Sequence, residues 1–214
     1  MDMMGKNIVI VGNGGFAREV EWLLSRVNSI YHEWKFLGFI DNEAERREER
    51  YVVGDDSYVL SAEEPLYVVL AIGSSDIRRK LHHIYQQNIN IHFPNLVDPS
   101  VMMSHRVNMG EGNIICAGNV VTVDIEIGDC CIFNLNCTIG HDVRIGNYVT
   151  VNPGANISGN VTIEDNVNIG TGSQIIQGIK IADHVTLGAG GVVVTDLPAR
   201  CTAVGVPARI IKFF

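Results

Sequence analysis

Of the seven histidines in the chain, His141 has the surroundings of a chemical group. It lies in the run Ile139-Gly140-His141-Asp142-Val143-Arg144, with a carboxylate directly after it. A neighbouring carboxylate can orient an imidazole and stabilise its protonated form, which makes the pair a candidate general base. An outward histidine is ordinarily a surface residue, so the meaning of the pair depends on what the fold sets against it. A second candidate lies near the N-terminus. Gly12-Asn13-Gly14-Gly15-Phe16-Ala17 joins the apolar run Ile8–Val11 to the helix-like stretch Arg18–Leu24. Strand, glycine turn and helix is the context in which a turn holds phosphate, because glycines admit close backbone approach and the helix start offers free N–H groups.

The element that must position His141 is a repeat. From Val97 to Val193 every sixth residue is large and apolar, seventeen positions without a gap. A step of six advances a helix by roughly 240°, which scatters the anchors around the cylinder. Short strands separated by turns accommodate it, and Gly128, Asp129, Gly146, Asn147, Gly170 and Gly188 supply turns. A hexapeptide period predicts a parallel β-helix whose coils bury their anchors only by stacking. His141, third in its hexad, points away from that interior.

Before the repeat, residues 1–95 read as a small Rossmann-like α/β domain of three to four parallel strands. Strands are expected at Ile8–Val11, Phe36–Ile40 and Leu66–Ile72. A helix is expected over Asp76–Gln87, capped by Ser75 or Asp76, and a solvated loop or short helix over Asn42–Arg50. Asp41 falls about where a ribose-binding acid would stand. The β-helix and a C-terminal tail occupy residues 96–214. A net charge of −8 disfavours a nucleic-acid partner. Five cysteines form no disulfide pattern, and Cys131 and Cys137 fall on inward positions, as in a reducing compartment. No signal peptide or membrane span is evident, so the expected location is cytoplasmic.

The hexad Ile145-Gly146-Asn147-Tyr148-Val149-Thr150 and its neighbours resemble the repeat of the left-handed β-helix acyltransferases. Asn134–Asp142, Ser158-Gly159-Asn160-Val161 and the ending Val204–Arg209 resemble the bacterial nucleotide-sugar N-acetyltransferases and the sialic-acid O-acetyltransferase-like proteins, over nearly the whole chain. The resemblance implies left-handed coils of three hexads. Gly159 would then stack directly above His141 and leave room for a reacting group, and Asp124 would stack beneath Asp142 and raise one of the two carboxyl pKa values. It also implies roles. His141 would be the general base, Asp142 its acidic partner, and the Gly159 N–H an oxyanion donor worth on the order of 3 kcal/mol. Asn134 would contact the sugar near its amine. Gly12, Gly14, Gly15, Asp41, Asn42 and Gly73 would hold the nucleotide. Gly159, Ala189, Gly190, Arg209 and Lys212 would serve acetyl-coenzyme A in a groove between subunits of a homotrimer. Two positions depart from relatives that carry histidine there: Thr150, nine residues after the base, and Phe16, after the glycine turn.

The implied activity is acetyl-CoA-dependent N-acetylation of a nucleotide-linked 4-amino sugar. O-acetylation of a sugar or sialic acid hydroxyl is the alternative. A nicotinamide dehydrogenase would use Gly12-x-Gly14-x-x-Ala17, but the domain is too short for both mononucleotide halves. A zinc carbonic anhydrase on the same β-helix needs three convergent histidines. His105 and His141 share a column two coils apart and His184 sits off it, so no metal is expected. A non-enzymatic scaffold would leave the glycine above His141 without a purpose.

Overall fold

The computed structural model describes residues 5–42 and 51–214. The expectation for residues 43–50 of the charged stretch lies outside them.

The first domain is a parallel sheet of five strands, one or two more than expected. They are β1 (Lys6–Val11), β2 (Trp34–Ile40), β3 (Val52–Gly54), β4 (Leu66–Leu70) and β5 (Ile91–His92), in the order β3-β2-β1-β4-β5. The additions are the two edge strands, of three and two residues, too short to carry a period of their own. Helix α1 (Gly15–Tyr31) crosses from β1 to β2, the short α2 (Asp56–Leu60) follows β3, and α3 (Ser75–Tyr85) crosses from β4 to β5. Helix α3 is capped by Ser74 rather than Ser75 or Asp76, its hydroxyl accepting from the Ile77 N–H at 3.4 Å.

Residues from Leu96 onward wind into a solenoid with three flat faces. Face 1 carries six strands from Met102–Met103 to Val192–Val193, and face 2 carries five from Val107–Met109 to Lys180–Ile181. Face 3 carries eight, from Leu96–Val97 through Thr186–Leu187 to an antiparallel hairpin of Cys201–Val204 and Arg209–Phe213. On face 1, Val121, Ile139, Ile157, Ile175 and Val193 pair in succession, so each coil is 18 residues. Anchors from Ile115 to Val193 are buried in one core with Cys131 and Cys137. Met103, in the first coil, is 38% exposed, because its coil is covered on one side only.

The corners explain the Asn, Asp and Gly content. Asp124, Asn136, Asp142, Gly154, Asn160, Asn166, Gly172 and Gly190 all have φ between +56° and +71°. Glycine enters this region freely, and asparagine and aspartate enter it more readily than other side chains do.

Two bolts join the domains. Apolar residues of α1 pack on Leu96, Ile114 and Ile132, the outward side of face 3. Arg78 of α3 is 1% exposed and donates to the carbonyls of Cys130 (2.7 Å), Tyr148 (2.8 Å) and Ile72 (2.7 Å) and to Thr150 Oγ1 (3.0 Å). Burial lowers its pKa to about 10, so it stays charged at neutral pH.

Candidate active site

His141 stands at the corner between faces 1 and 2, just after the strand Thr138–Ile139. Its Nδ1 lies 2.8 Å from Asp142 Oδ2. A carboxylate only accepts, so Nδ1 carries a proton, and in the neutral ring Nε2 keeps its lone pair. Both side chains are more than half exposed. Asp142 reaches its neighbour from the left-handed corner conformation, at φ +60°.

Gly159 lies over the ring as the 18-residue spacing requires. A Cβ on Gly159 would fall 2.5 Å from both Nε2 and Cε1 of His141. The coil ladder runs on either side of it: Ser158 N–H donates to Ile175 O at 3.0 Å and Asn160 N–H to His141 O at 2.8 Å. The Gly159 N–H between them has no acceptor among the described residues. The imidazole therefore lies in the space a side chain at 159 would fill, and a base nitrogen and an unpaired N–H share one corner. Asp124 lies one coil beneath Asp142, and both border one cleft. It pairs with Arg106 one coil earlier, at 2.6 Å.

Asn134, Ala189 and Gly190 lie at a different corner, between faces 3 and 1. The strand Thr138–Ile139 separates Asn134 from His141, so one chain does not bring these groups together. The corner of Gly190 holds a feature the sequence reading passed over. Gly154, Gly172 and Gly190 stack one per coil, at φ +71°, +68° and +67°, and a Cβ on any of them would meet nothing within 4 Å. Three bare corners in register leave open space along one edge of the solenoid. The signal was available as glycine at a spacing of 18, of which the sequence analysis names only Gly190. Arg209 and Lys212 lie on the last strand of the terminal hairpin, both exposed, with Lys212 Nζ 4.6 Å from the ring centre of Phe214.

In the first domain, Gly12 ends β1 at φ +101°, where a Cβ would press on the Ala71 carbonyl at 3.0 Å. Gly14 caps α1 with no side-chain bond, and space is open beside Gly14 and Gly73. Gly15 has only an arginine tip nearby, 3.8 Å from a built Cβ. These turns lie at the carboxyl ends of the adjacent strands β1 and β4, the switch point at which such sheets bind ligands. Asp41 follows β2, its N–H donating to Gly54 O at 3.1 Å. Asn42 is already engaged at both ends: its Nδ2 donates to Asp56 at 2.7 Å and its Oδ1 accepts from the Asp56 N–H at 3.0 Å. It shapes the turn after β2.

Thr150 and Phe16, the two departures, serve packing: Thr150 accepts from Arg78, and Phe16 lies against the α1 core. All five cysteines are free and buried, and burial pushes the Cys131 thiol up to about 12, which removes it as a nucleophile. Among the described residues no group of three or more His, Cys, Asp or Glu side chains is placed to hold a metal ion, and no helix is long and apolar enough to cross a membrane.

A phosphate-loop domain set on a hexad solenoid with a glycine-covered His–Asp pair defines a class, the acyltransferases of the β-helix type. The comparisons give the family. The PglD N-terminal domain family matches residues 7–85. The chain is similar to PerB from Caulobacter crescentus, solved with CoA and GDP-perosamine, at 32% identity over 98% of each chain and a TM-score of 0.89. It is similar to the acetyltransferase domain of PglB from Neisseria gonorrhoeae, at 26% identity over 97% of this chain and 100% of that one, TM-score 0.89. It is also similar to WeeI from Acinetobacter baumannii, at 30% identity over 96% and 100%, TM-score 0.86. No curated protein sequence matches the chain. The chain belongs to the bacterial sugar N-acetyltransferases of the left-handed β-helix type, enzymes that draw their acyl group from acetyl-CoA.

Proposed function

We propose that the chain N-acetylates the amine of a nucleotide-linked 4-amino sugar, with His141 as general base. The observation that carries this reading is Gly159 over His141, a glycine that lets the imidazole lie against the coil above it at the corner where the Gly159 N–H is unpaired. A relative solved with GDP-perosamine and CoA supports the substrate class.

Acetyl-CoA supplies an acyl group on a good thiolate leaving group. The chain's residues do the rest. His141 Nε2, its ring fixed by Asp142, takes the proton lost by the amine as nitrogen bonds to the thioester carbon. The Gly159 N–H donates to the carbonyl oxygen as negative charge builds there. As the carbon–sulfur bond breaks, the proton held on His141 passes to the departing thiolate. Gly12, Gly14, Gly15 and Gly73 hold the diphosphate by backbone contact, and Asp41 takes the ribose.

Asn134 and the glycine corner at Gly190 stand across face 1 from His141. A neighbouring copy that brings its own corner beside His141 completes the site, which accords with a homotrimer. Arg209 and Lys212 then offer charge to the coenzyme phosphates.

The test is product analysis by mass spectrometry after incubation with acetyl-CoA and UDP-, dTDP- and GDP-linked 4-amino sugars, beside the matching 4-hydroxy sugars and sialic acid. An acetamide on one amino sugar is the expected product. An ester formed only on hydroxyl acceptors would replace the reading with O-acetylation.

A further inference from the structure

Asp56 opens the short helix α2, and no step of the reaction as described uses it. It nevertheless ties three elements together at one point. Its Oδ2 accepts from Asn42 Nδ2 at 2.7 Å, and its N–H donates to Asn42 Oδ1 at 3.0 Å. Its other oxygen, Oδ1, accepts from the hydroxyl of Tyr85 at the end of α3. Both carboxylate oxygens and the backbone N–H therefore have fixed partners.

The two partners differ in kind. Tyr85 has no exposed surface and packs with Val9, Val11, Ile40 and Val59, so its hydroxyl is held by a close-packed core. Asn42 is exposed and follows Asp41 on the turn that leaves β2. The Asp41 N–H donates to Gly54 O at 3.1 Å, two residues before Asp56. The turn that carries Asp41 is thus fastened to the end of β3 by its backbone and to α3 through Asn42 and Asp56. Helix α3 also follows the Gly73–Ser74 turn and sends Arg78 into the solenoid. An asparagine bonded only to a neighbouring turn would be ordinary turn chemistry. The buried hydroxyl on the far oxygen makes this cluster an anchor between separate elements.

We propose that Asp56 is a positioning residue for the nucleotide: it fixes the turn carrying Asp41 against α3, so that this turn and the glycine turns after β1 and β4 face the ligand from one rigid frame. The proposal rests on the nucleotide-sugar reading above. Charge separates positioning from simple electrostatics. A nucleoside diphosphate is an anion, so removing a nearby carboxylate favours its binding by charge alone. Loss of a positioning contact acts in the opposite direction.

Isothermal titration calorimetry on the full chain would use GDP, UDP and dTDP, with circular dichroism melts beside it. Asp56→Ala should bind the nucleotide that the parent prefers several-fold more weakly. Under turnover the KM for the nucleotide-linked amino sugar should rise, with kcat and the KM for acetyl-CoA unchanged, a split that general loss of structure would not give. Asn42→Asp sets carboxylate against carboxylate and should weaken binding too. Combining it with Asp56→Asn exchanges donor and acceptor, restores every bond of the cluster at the parent's net charge, and should recover most of the affinity. This pair of variants carries the test if Asp56→Ala fails to fold. Binding by Asp56→Ala as tight as the parent's, or tighter, overturns the proposal and leaves the nucleotide site standing. A combined variant no better than Asn42→Asp overturns it equally, since the Asn42 side chain would then serve the ligand itself. A parent that binds none of the three nucleotides removes the nucleotide site and the proposal with it. The binding measurements do not depend on His141 being the base.

Discussion

Gly159 and His141 stand one coil apart with nothing between them: a methyl group on Gly159 would come within 2.5 Å of His141 Nε2. Glycine there lets the imidazole lie against the coil above it. Gly159→Ala should therefore leave the fold intact, since the exposed imidazole can swing aside, yet lower kcat by about 10²-fold through misplacement of the base. Steady-state kinetics beside a thermal melt would check it. A loss of activity matched by a large fall in Tm would mean that the glycine serves the coil alone.

Asp142 combines a backbone role and a side-chain role, and asparagine separates them. Asp142→Asn retains a residue at ease at φ +60° but replaces the carboxylate that accepts from His141. The expected outcome is an unchanged melt with kcat reduced about tenfold to a hundredfold, less than a buried triad aspartate would cost because solvent screens an exposed pair. An unchanged kcat would reduce Asp142 to a corner residue.

Arg78 holds the domains together by donating to carbonyl oxygens that no other group reaches among the described residues. Arg78→Met should destabilise the chain by about 3 kcal/mol, because it leaves the carbonyls of Cys130 and Tyr148 buried and unpaired. Arg78→Lys should recover little of this, since one ammonium cannot span the same acceptors. Chemical denaturation of the three proteins would show it.

Asp98 couples this union to pH. Burial would raise its pKa, but donation from Arg26 at 2.6 Å and from Ser100 outweighs burial and holds the pKa below the ordinary carboxylate value. A depressed folded-state pKa contributes stability above the unfolded value of about 4, lost as pH falls through the folded value. Asp98→Asn should melt well below the parent at pH 7, and the difference should shrink as the pH falls below the unfolded value of about 4. Parallel curves would contradict the assignment.

The six-residue period and the inward cysteines could be read directly, because each coil repeats the same burial problem. Gly159 could be placed through the 18-residue coil. Met103 shows where the period misleads, since an anchor is buried only if coils lie on both sides. The edge strands β3 and β5 carried too few residues to register. The bonding of the Asn42 side chain to Asp56, fourteen residues on, could not be read from the sequence. The partition of Asn134 and His141 between two corners follows from how three hexads close into a coil, and only the folded chain displays it.

The most direct measurement is release of free thiol from acetyl-CoA in the presence of the preferred nucleotide-linked 4-amino sugar, by the parent chain and by His141→Ala. Rapid release by the parent, reduced about 10³-fold in the variant with both substrates still bound, is the predicted result for a general base. Equal rates in the two proteins would contradict the account, leaving His141 a surface histidine and the base still to be found.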